Sequence, residues 1–360
     1  MRIDTVHILG LLIGNIRNMD PDCYRKADNA LIQKDLYFTP EYGRLYEPIE
    51  GATLETFSFS APEGDIYYQY LKRPVPYLVE GVQYYDAMTP YGYGGPVVLR
   101  TVAGQESVLV EKFRKALDEK LRQDRIVCEF VRFHPMEENA AFFQSMYQLR
   151  NRRTAVYTDL SSEDPVAAEF DKRTQKIVRQ YLKKGVSTVI ERNPSEENLK
   201  FFTKCYFENM AAVGASEYFY FSESYFAQLR KDLGHRLILV RAYFEGELIG
   251  ADLGFDDGHV YTCHLTGVTE KGRAMNAARI IVAEQARWAK ANGFMYLFHG
   301  CGRTGAEDDS LLVFKKFFTQ GCFRDYWQGS RVSDEDAYRK LCEASGKTDD
   351  GIYFPLYRKP

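Results

Sequence analysis

Apolar residues along the chain fall into two recurring patterns. Thr56-Phe57-Ser58-Phe59-Ser60 alternates at period two, and Ile66–Lys72 is rich in β-formers and stops at Arg73-Pro74. A turn-rich stretch follows from Thr89 to Leu99. Val110, Phe113, Leu117 and Leu121 then recur at helical spacing and predict a helix over Glu106–Arg122. Ile126–Phe133 reads as a buried strand. A helix over Glu138–Gln148 and a strand over Ala155–Leu160 complete the first half.

Residues 161–164 (SSED) followed by Pro165 mark a boundary. Asp164 can cap a helix with Pro165 in its first turn. That helix, Pro165–Lys184, is basic, and Gly185 ends it. A strand over Ser187–Glu191 and helices over Ser195–Ala211 and Ser222–Leu233 follow; Ser195 opens an imperfect capping box. Arg236–Phe244, Leu248–Phe255 and His259–Leu265 form a meander joined at Glu245-Gly246 and Asp256-Asp257-Gly258. A helix over Arg273–Ala291, a strand over Phe294–Phe298, a glycine-rich loop 299–305, a helix over Asp308–Phe318 and a strand over Cys322–Trp327 end the pattern. The order repeats between the halves: meander, long helix, buried strand, loop, helix, strand. Each buried strand ends in Phe-His, at Phe133-His134 and Phe298-His299. This predicts two tandem α/β modules, residues 1–160 and 161–360.

Composition narrows the class. The chain has 360 residues, about two domains' worth. It is 45% hydrophobic and 27% charged, which excludes disordered, collagen-like and coiled-coil chains. Lys plus Arg total 47 against 50 for Asp plus Glu, so the whole is no basic nucleic-acid coat. The 26 Tyr and 24 Phe against 2 Trp point to half-polar clefts or a tyrosine-rich core. Seven cysteines (Cys23, Cys128, Cys205, Cys263, Cys301, Cys322, Cys342) are widely spaced without CxxC, which argues against a disulfide framework or zinc finger. The N-terminal apolar run is too short for a signal peptide, and no segment reaches the roughly 18 apolar residues of a membrane span. A cytoplasmic protein that uses no metal is expected.

The strand and helix order, with Thr89-Pro90-Tyr91-Gly92-Tyr93-Gly94-Gly95-Pro96, Trp288–Phe294 and the run from His299-Gly300-Cys301-Gly302 through Asp309-Ser310-Leu311-Leu312-Val313-Phe314-Lys315-Lys316-Phe317, resembles the GNAT acyltransferase fold in tandem. Two such modules resemble the FemAB-type aminoacyltransferases, over about residues 35–330. The resemblance implies an α/β architecture of mixed sheets whose fourth and fifth strands splay to admit donor and acceptor. It implies transfer of an aminoacyl or acyl group to an amine on a peptidoglycan precursor, amino sugar or similar cell-envelope acceptor. The donor would be aminoacyl-tRNA or acyl-CoA, with no tightly bound cofactor, no membrane span and no DNA. There is no long charged heptad stretch of the kind Fem enzymes use as a tRNA arm. The GNAT pyrophosphate loop is degenerate at Thr269–Ala274, where Gly272, Ala274 and Asn276 are the candidate cofactor contacts.

Acyl transfer needs a neutral amine, a stabilised oxyanion and a path for the proton. By the resemblance, Phe314 and Lys315 lie near the reacting centre, Lys315 steadying negative charge; the alternative is a solvated lysine. His299 and His264 face the strand gap as possible proton relays, or are structural. Gly300 and Gly302 permit close ligand approach or simply turn. Tyr91, Tyr93, Gly94 and Gly95 form an aromatic-glycine loop at the acceptor cleft, with Asp86 before it to hold an ammonium. Arg173, Lys176 and Arg179 could bind a diphosphate or tRNA backbone, and Tyr218 and Tyr220 could line the same cleft. The first module looks degenerate, since no glycine-rich loop follows His134-Pro135, and serves the acceptor side. Rival readings are an acyl-CoA-dependent GNAT enzyme acting on a small amine and a non-catalytic binding module.

Overall fold

The computed structural model describes residues 35–348, 351 and 353–360. Cys23 and the N-terminal apolar run lie outside the described residues. The strands are β1 (Thr53–Ala61), β2 (Gly64–Val79), β3 (Val82–Met88), β4 (Val97–Thr101), β5 (Ile126–Arg132), β6 (Gln148–Asp159), β7 (Ser187–Arg192), β8 (Leu237–Phe244), β9 (Glu247–Asp257), β10 (Val260–Val268), β11 (Tyr296–Cys301) and β12 (Phe323–Val332). The helices are α1 (Pro40–Arg44), α2 (Glu47–Glu50), α3 (Glu106–Gln123), α4 (Ala140–Phe143), α5 (Pro165–Glu169), α6 (Lys172–Lys183), α7 (Glu196–Ala212), α8 (Glu223–Leu233), α9 (Glu270–Ala274), α10 (Ala277–Ala291), α11 (Ser310–Lys316) and α12 (Glu335–Ser345).

All twelve strands join one mixed sheet in the order β1-β2-β3-β5-β12-β6-β11-β10-β9-β8-β7, with β4 on β2. The expected open splay between the fourth and fifth strands of each half is absent. The last strand of each half fills the gap in the other. β12 lies between β5 and β6, and β6 lies between β12 and β11. A splayed pair exposes unpaired backbone groups, and a strand from the other half satisfies them.

Helices cover both faces. Alternation along β8 sends Leu237 and Leu239 toward a cluster with Leu199, Phe202 and Phe226 of α7 and α8. Ile238 and Val240 face the opposite side, against α10. On α3, Leu109, Phe113, Leu117 and Leu121 are fully buried against Ile66, Tyr68 and Val131. The β8–β9 hairpin turns at Glu245 and Gly246, both with positive φ, the geometry that matches strand twist.

Several expected boundaries shift for identifiable reasons. β2 does not stop at Arg73-Pro74. Its pairing with β1 ends at Lys72, so beyond it only β3 is bonded and prolines are tolerated. The predicted helix Pro165–Lys184 breaks at extended Phe170, because Asp171 caps a second start by accepting from Arg173 N (2.8 Å) and Thr174 N (3.0 Å). The helix predicted over Arg273–Ala291 breaks at left-handed Asn276. The helix predicted over Glu138–Gln148 shrinks to α4, because β6 already begins at Gln148. α1, α2, β3, β4 and α12 were not anticipated.

The crossing strands are tied by charge. Arg331 on β12 stands directly opposite Glu129 on β5, and its Nε donates to Glu129 Oε2 at 2.6 Å. Tyr147 Oη donates to the other carboxylate oxygen at 3.3 Å, and Arg331 also pairs with Asp118 of α3. Glu129 is 0% exposed. Removing the guanidinium leaves a buried charge, which typically costs about 3–5 kcal/mol. Arg331→Leu is therefore expected to lower unfolding free energy by about that amount in urea titration, and Glu129→Gln in the same chain to restore part of it. A loss below about 1 kcal/mol would show that the pair does not hold the strands.

Candidate active site

β11 delivers the chain to the site. Gly300, near its end, has φ +73°, and a Cβ there would stand 3.0 Å from Tyr93 Oη and 3.6 Å from Lys315 Nζ. Three elements therefore meet at a position only glycine fills without crowding. The chain returns at Asp309, whose Oδ1 caps α11 through Leu311 N and Leu312 N and whose Oδ2 accepts from Thr304 N. Burial pushes the Asp309 carboxyl up, but these donors outweigh it and hold it below the usual range. Gly302 lets this loop close on Asp309, 2.9 Å from where its Cβ would be. α11 then projects Lys315, whose Nζ donates to Cys301 O at 2.7 Å. Burial makes the Lys315 ammonium easier to deprotonate, opposed by Cys301, Cys263, Asp252 and Asp309. Lys315 is thus anchored at the strand end. Phe314 points elsewhere, packing on Phe318 (5.0 Å) beneath the Arg279 guanidinium (5.4 Å).

The aromatic-glycine loop reaches the same place from the other half. Gly94 bridges to Phe133 at the end of β5, and Asn139 Nδ2 donates to Gly94 O and Pro96 O, both at 2.9 Å. Gly95 has φ +91° and leaves no room for a Cβ against Val131 and Phe133. This seats Tyr93 against Tyr37, Phe298 and Tyr326, with its hydroxyl 3.7 Å from Cys301 Sγ. Two arginines flank the loop. Arg132 donates to Thr89 O at 3.0 Å and lies over the Phe130 ring, and Arg153 donates to Gly302 O at 3.4 Å. Sequence reasoning missed both, and Tyr326. They sit on β5, β6 and β12, which only the strand crossing brings together.

A buried line of hydroxyls runs beneath Tyr91. Tyr42 Oη donates to Tyr91 O (2.9 Å) and lies 3.1 Å from Tyr46 Oη, which lies 2.9 Å from Tyr225 Oη, itself 3.2 Å from His264 Nε2. The carbonyl accepts only, so the line has one direction: Tyr46 donates to Tyr42, Tyr225 to Tyr46, and His264 Nε2–H to Tyr225. His264 is thereby the Nε2–H tautomer, with Nδ1 an acceptor that makes no hydrogen bond among the described residues. Its ring lies 4.4 Å from Phe255, and burial depresses its pKa to about 3. Burial also raises Tyr42, Tyr46 and Tyr225, so all stay protonated.

His299 is differently placed. Thr158 Oγ1 donates to Phe318 O (2.7 Å), so His299 Nε2–H donates to Thr158 (2.8 Å), and Nδ1 lies 4.0 Å from Cys263 Sγ. Burial and then Lys315 lower its pKa to about 3. Its nitrogens are engaged within the protein. Asp86 is not open to an ammonium: it accepts from Arg73 Nε (2.9 Å), Arg358 Nε and Tyr357 Oη (3.2 Å). Arg173, Lys176 and Arg179 lie exposed on α6, which packs on α10. Tyr218 joins the site, 6.0 Å from Tyr91 and donating to Glu50 at 3.0 Å, whereas Tyr220 stacks on Phe207. Gly272 is a packing glycine. Its N–H is capped by Thr269 Oγ1 at 3.0 Å, and a Cβ would sit 1.8 Å from Ile249 O. Ala274 O accepts from Tyr181 Oη, and Asn276 Oδ1 accepts from Arg279. Among the described residues no cluster of three His, Cys, Asp or Glu is placed to hold a metal ion, and no helix is long and apolar enough to cross a membrane.

The hydrogen-bond directions fix Nε2–H at His264 and His299, and burial keeps both rings neutral, so nitrogen-15 shifts at pH 5 are expected to show neutral Nε2–H tautomers; an imidazolium at either position at pH 5 would show that burial does not hold the ring neutral. The sign follows. Both pKa values lie below the unfolded value of about 6.5, so the two histidines contribute stability above that pH and lose it as the pH falls toward about 3.

Comparison with known proteins agrees with this architecture. Residues 168–309 match the family model described as "Acetyltransferase (GNAT) domain". No curated protein matches the sequence. Among solved structures, that of FemX aligns at 11% identity over 86% of this chain and 96% of that one, with a TM-score of 0.67. L-PGS from Bacillus licheniformis aligns at 12% identity over 84% and 95%, with a TM-score of 0.51. The C-terminal domain of a putative lysylphosphatidylglycerol synthetase from Agrobacterium fabrum aligns at 10% identity over 89% and 95%, with a TM-score of 0.53. The chain has the FemAB-like GNAT acyltransferase fold.

Proposed function

We propose that the protein is an N-acyltransferase that moves an aminoacyl or acyl group from an activated donor to an amine on a peptidoglycan precursor, amino sugar or related cell-envelope acceptor. The observation that carries this reading is the meeting of Lys315 Nζ and Tyr93 Oη at Gly300, on a strand end of an acyltransferase fold. The donor ester or thioester is already activated, so no protein nucleophile is required. The acceptor nitrogen attacks the acyl carbon, the bond to the donor oxygen or sulfur breaks, and the amine loses a proton. Lys315 steadies the negative charge developing on the acyl oxygen. His264 Nδ1 takes the proton, and its Nε2–H is already fixed by Tyr225. Arg132 and Arg153 supply positive charge beside the loop for an anionic part of donor or acceptor.

Turnover with charged tRNA and UDP-linked muropeptide, and separately with acyl-CoA and an amino sugar, tests the reading and identifies the donor. Lys315→Ala is expected to lower kcat about 100-fold or more at unchanged melting temperature; unchanged turnover would remove Lys315 from the reaction. A productive donor at 100 times its Kd should stabilise the fold by about 2.7 kcal/mol in thermal melting. Stabilisation by a ligand with no turnover from either donor class would favour a binding module instead.

A further inference from the structure

A cleft of about 480 Å³ opens where the strands cross, bounded by β5, β12 and β6 on one side and by residues 353–358 on the other. Its volume falls within the range of about 300–1,000 Å³ typical of small-molecule sites. Register places Arg132, Gln328 and Arg150 in one row across the three strands, and Phe130, Ser330 and Gln148 in the next. Arg73, Arg152 and Arg358 complete a lining of five arginines, with no aspartate or glutamate among the described lining residues. That is a sharp local departure for a chain with 50 acidic residues against 47 basic ones.

Two of the five are neutralised by two carboxylates, because Arg73 pairs with Glu50 and Asp86 and Arg358 pairs with Asp86. Arg132, Arg150 and Arg152 have no carboxylate within 4.0 Å among the described residues. The guanidiniums of Arg132 and Arg150 donate to carbonyls, Thr89 O and Gly351 O. Three like charges drawn into one cleft repel, and an anion relieves that repulsion. Guanidinium forks match phosphate oxygens in pairs, and three of them exceed the charge of a single carboxylate. Gln328 and Ser330 add hydrogen-bonding groups, and Met88, Phe130 and Phe354 give the cleft an apolar wall.

The geometry points to a binding site for a phosphate- or diphosphate-bearing small molecule in this cleft, held by Arg132, Arg150 and Arg152. The site needs no acyl transfer, and its binding is read without turnover, so its failure is separable from failure of the enzymatic reading. The same chemistry reaches a protein as a free diphosphate or as a lipid headgroup. The test is calorimetric titration of the full chain with inorganic pyrophosphate and a nucleoside diphosphate, beside sedimentation with phosphatidylglycerol-containing and pure phosphatidylcholine vesicles. Binding of either soluble diphosphate, or of the anionic vesicles alone, supports the site and identifies the source. Affinity should weaken as salt rises. Arg150→Glu/Arg152→Glu alters two exposed side chains and should keep the melting temperature while weakening binding at least tenfold. Lys204→Glu/Lys231→Glu, the same charge change on α7 and α8, should weaken it less than twofold. No binding in any arm, or equal loss in the two double variants, would overturn the proposal.

Discussion

The strand exchange at the centre of the sheet is the constraint on which the rest of the molecule depends. β6 is bonded on one edge to β11 and on the other to β12, while β12 is bonded to β5 and β6. Neither half completes its own sheet, because each leaves an opening that only the other's last strand closes. The bonds are long-range in sequence and join the two halves in one sheet. Glu129 and Arg331 hold the register of that closure, since a slip of β12 by one residue would put the two charges on opposite faces of the sheet.

Burial governs the chemistry of the site as strongly as packing governs the sheet. The tyrosine-rich composition resolves into rings that pack on one another and hydroxyls that bond in line. Tyr46 is fully buried and packs on Tyr42, Tyr91, Phe221 and Tyr225, and its hydroxyl still meets two partners. Phenylalanine would fill the same space and break the line. A second line runs from Asp252 through Gln285 to Tyr261 and Cys263. Burial raises Asp252 to about 6, against the donors Thr266 and Gln285 and the nearby Lys315. The second line lies close to Lys315, whose own proton is loosened by burial.

Local chemistry made much of this fold legible. The apolar stripe of α3, the Gly-bearing turns of the meander and the caps at Asp164 and Ser195 depend on residues within a few positions of one another. The resemblance of the run through Phe317, not local spacing, singles out Lys315, and its partner Cys301 lies 14 positions back. What was hidden depends on distant partners. The strand exchange leaves no local mark, because β6 and β12 carry the same alternation whichever strand they join. Asp86 reads as an acid before a loop, placed to hold an ammonium, and its partners Arg73 across the β2–β3 pair and residues 357 and 358, some 271 positions on, show it occupied. Arg132, Arg153 and Tyr326 are unremarkable in their own segments and meet only through the crossing. β2 hid its length behind Pro74, because a strand losing one neighbour no longer needs every N–H.

The two Phe-His strand ends show how one architecture serves two purposes. At Phe133-His134 the strand end is closed. Gly94 bridges to Phe133, His134 N donates to Asn139 Oδ1 at 2.8 Å, and the imidazole lies 3.2 Å from the Asp35 carboxylate. At Phe298-His299 the equivalent position leads to Gly300, the loop and Lys315 instead. The closure of the first end is what builds the second. The loop that seals Phe133 is the one that carries Tyr93 across to Cys301 and Gly300. The first half therefore acts on the site through its loop. That explains why the glycine-rich turn expected after a catalytic strand is missing at His134-Pro135 and present at His299, and why a duplicated fold presents one convergence of lysine, tyrosine and glycine.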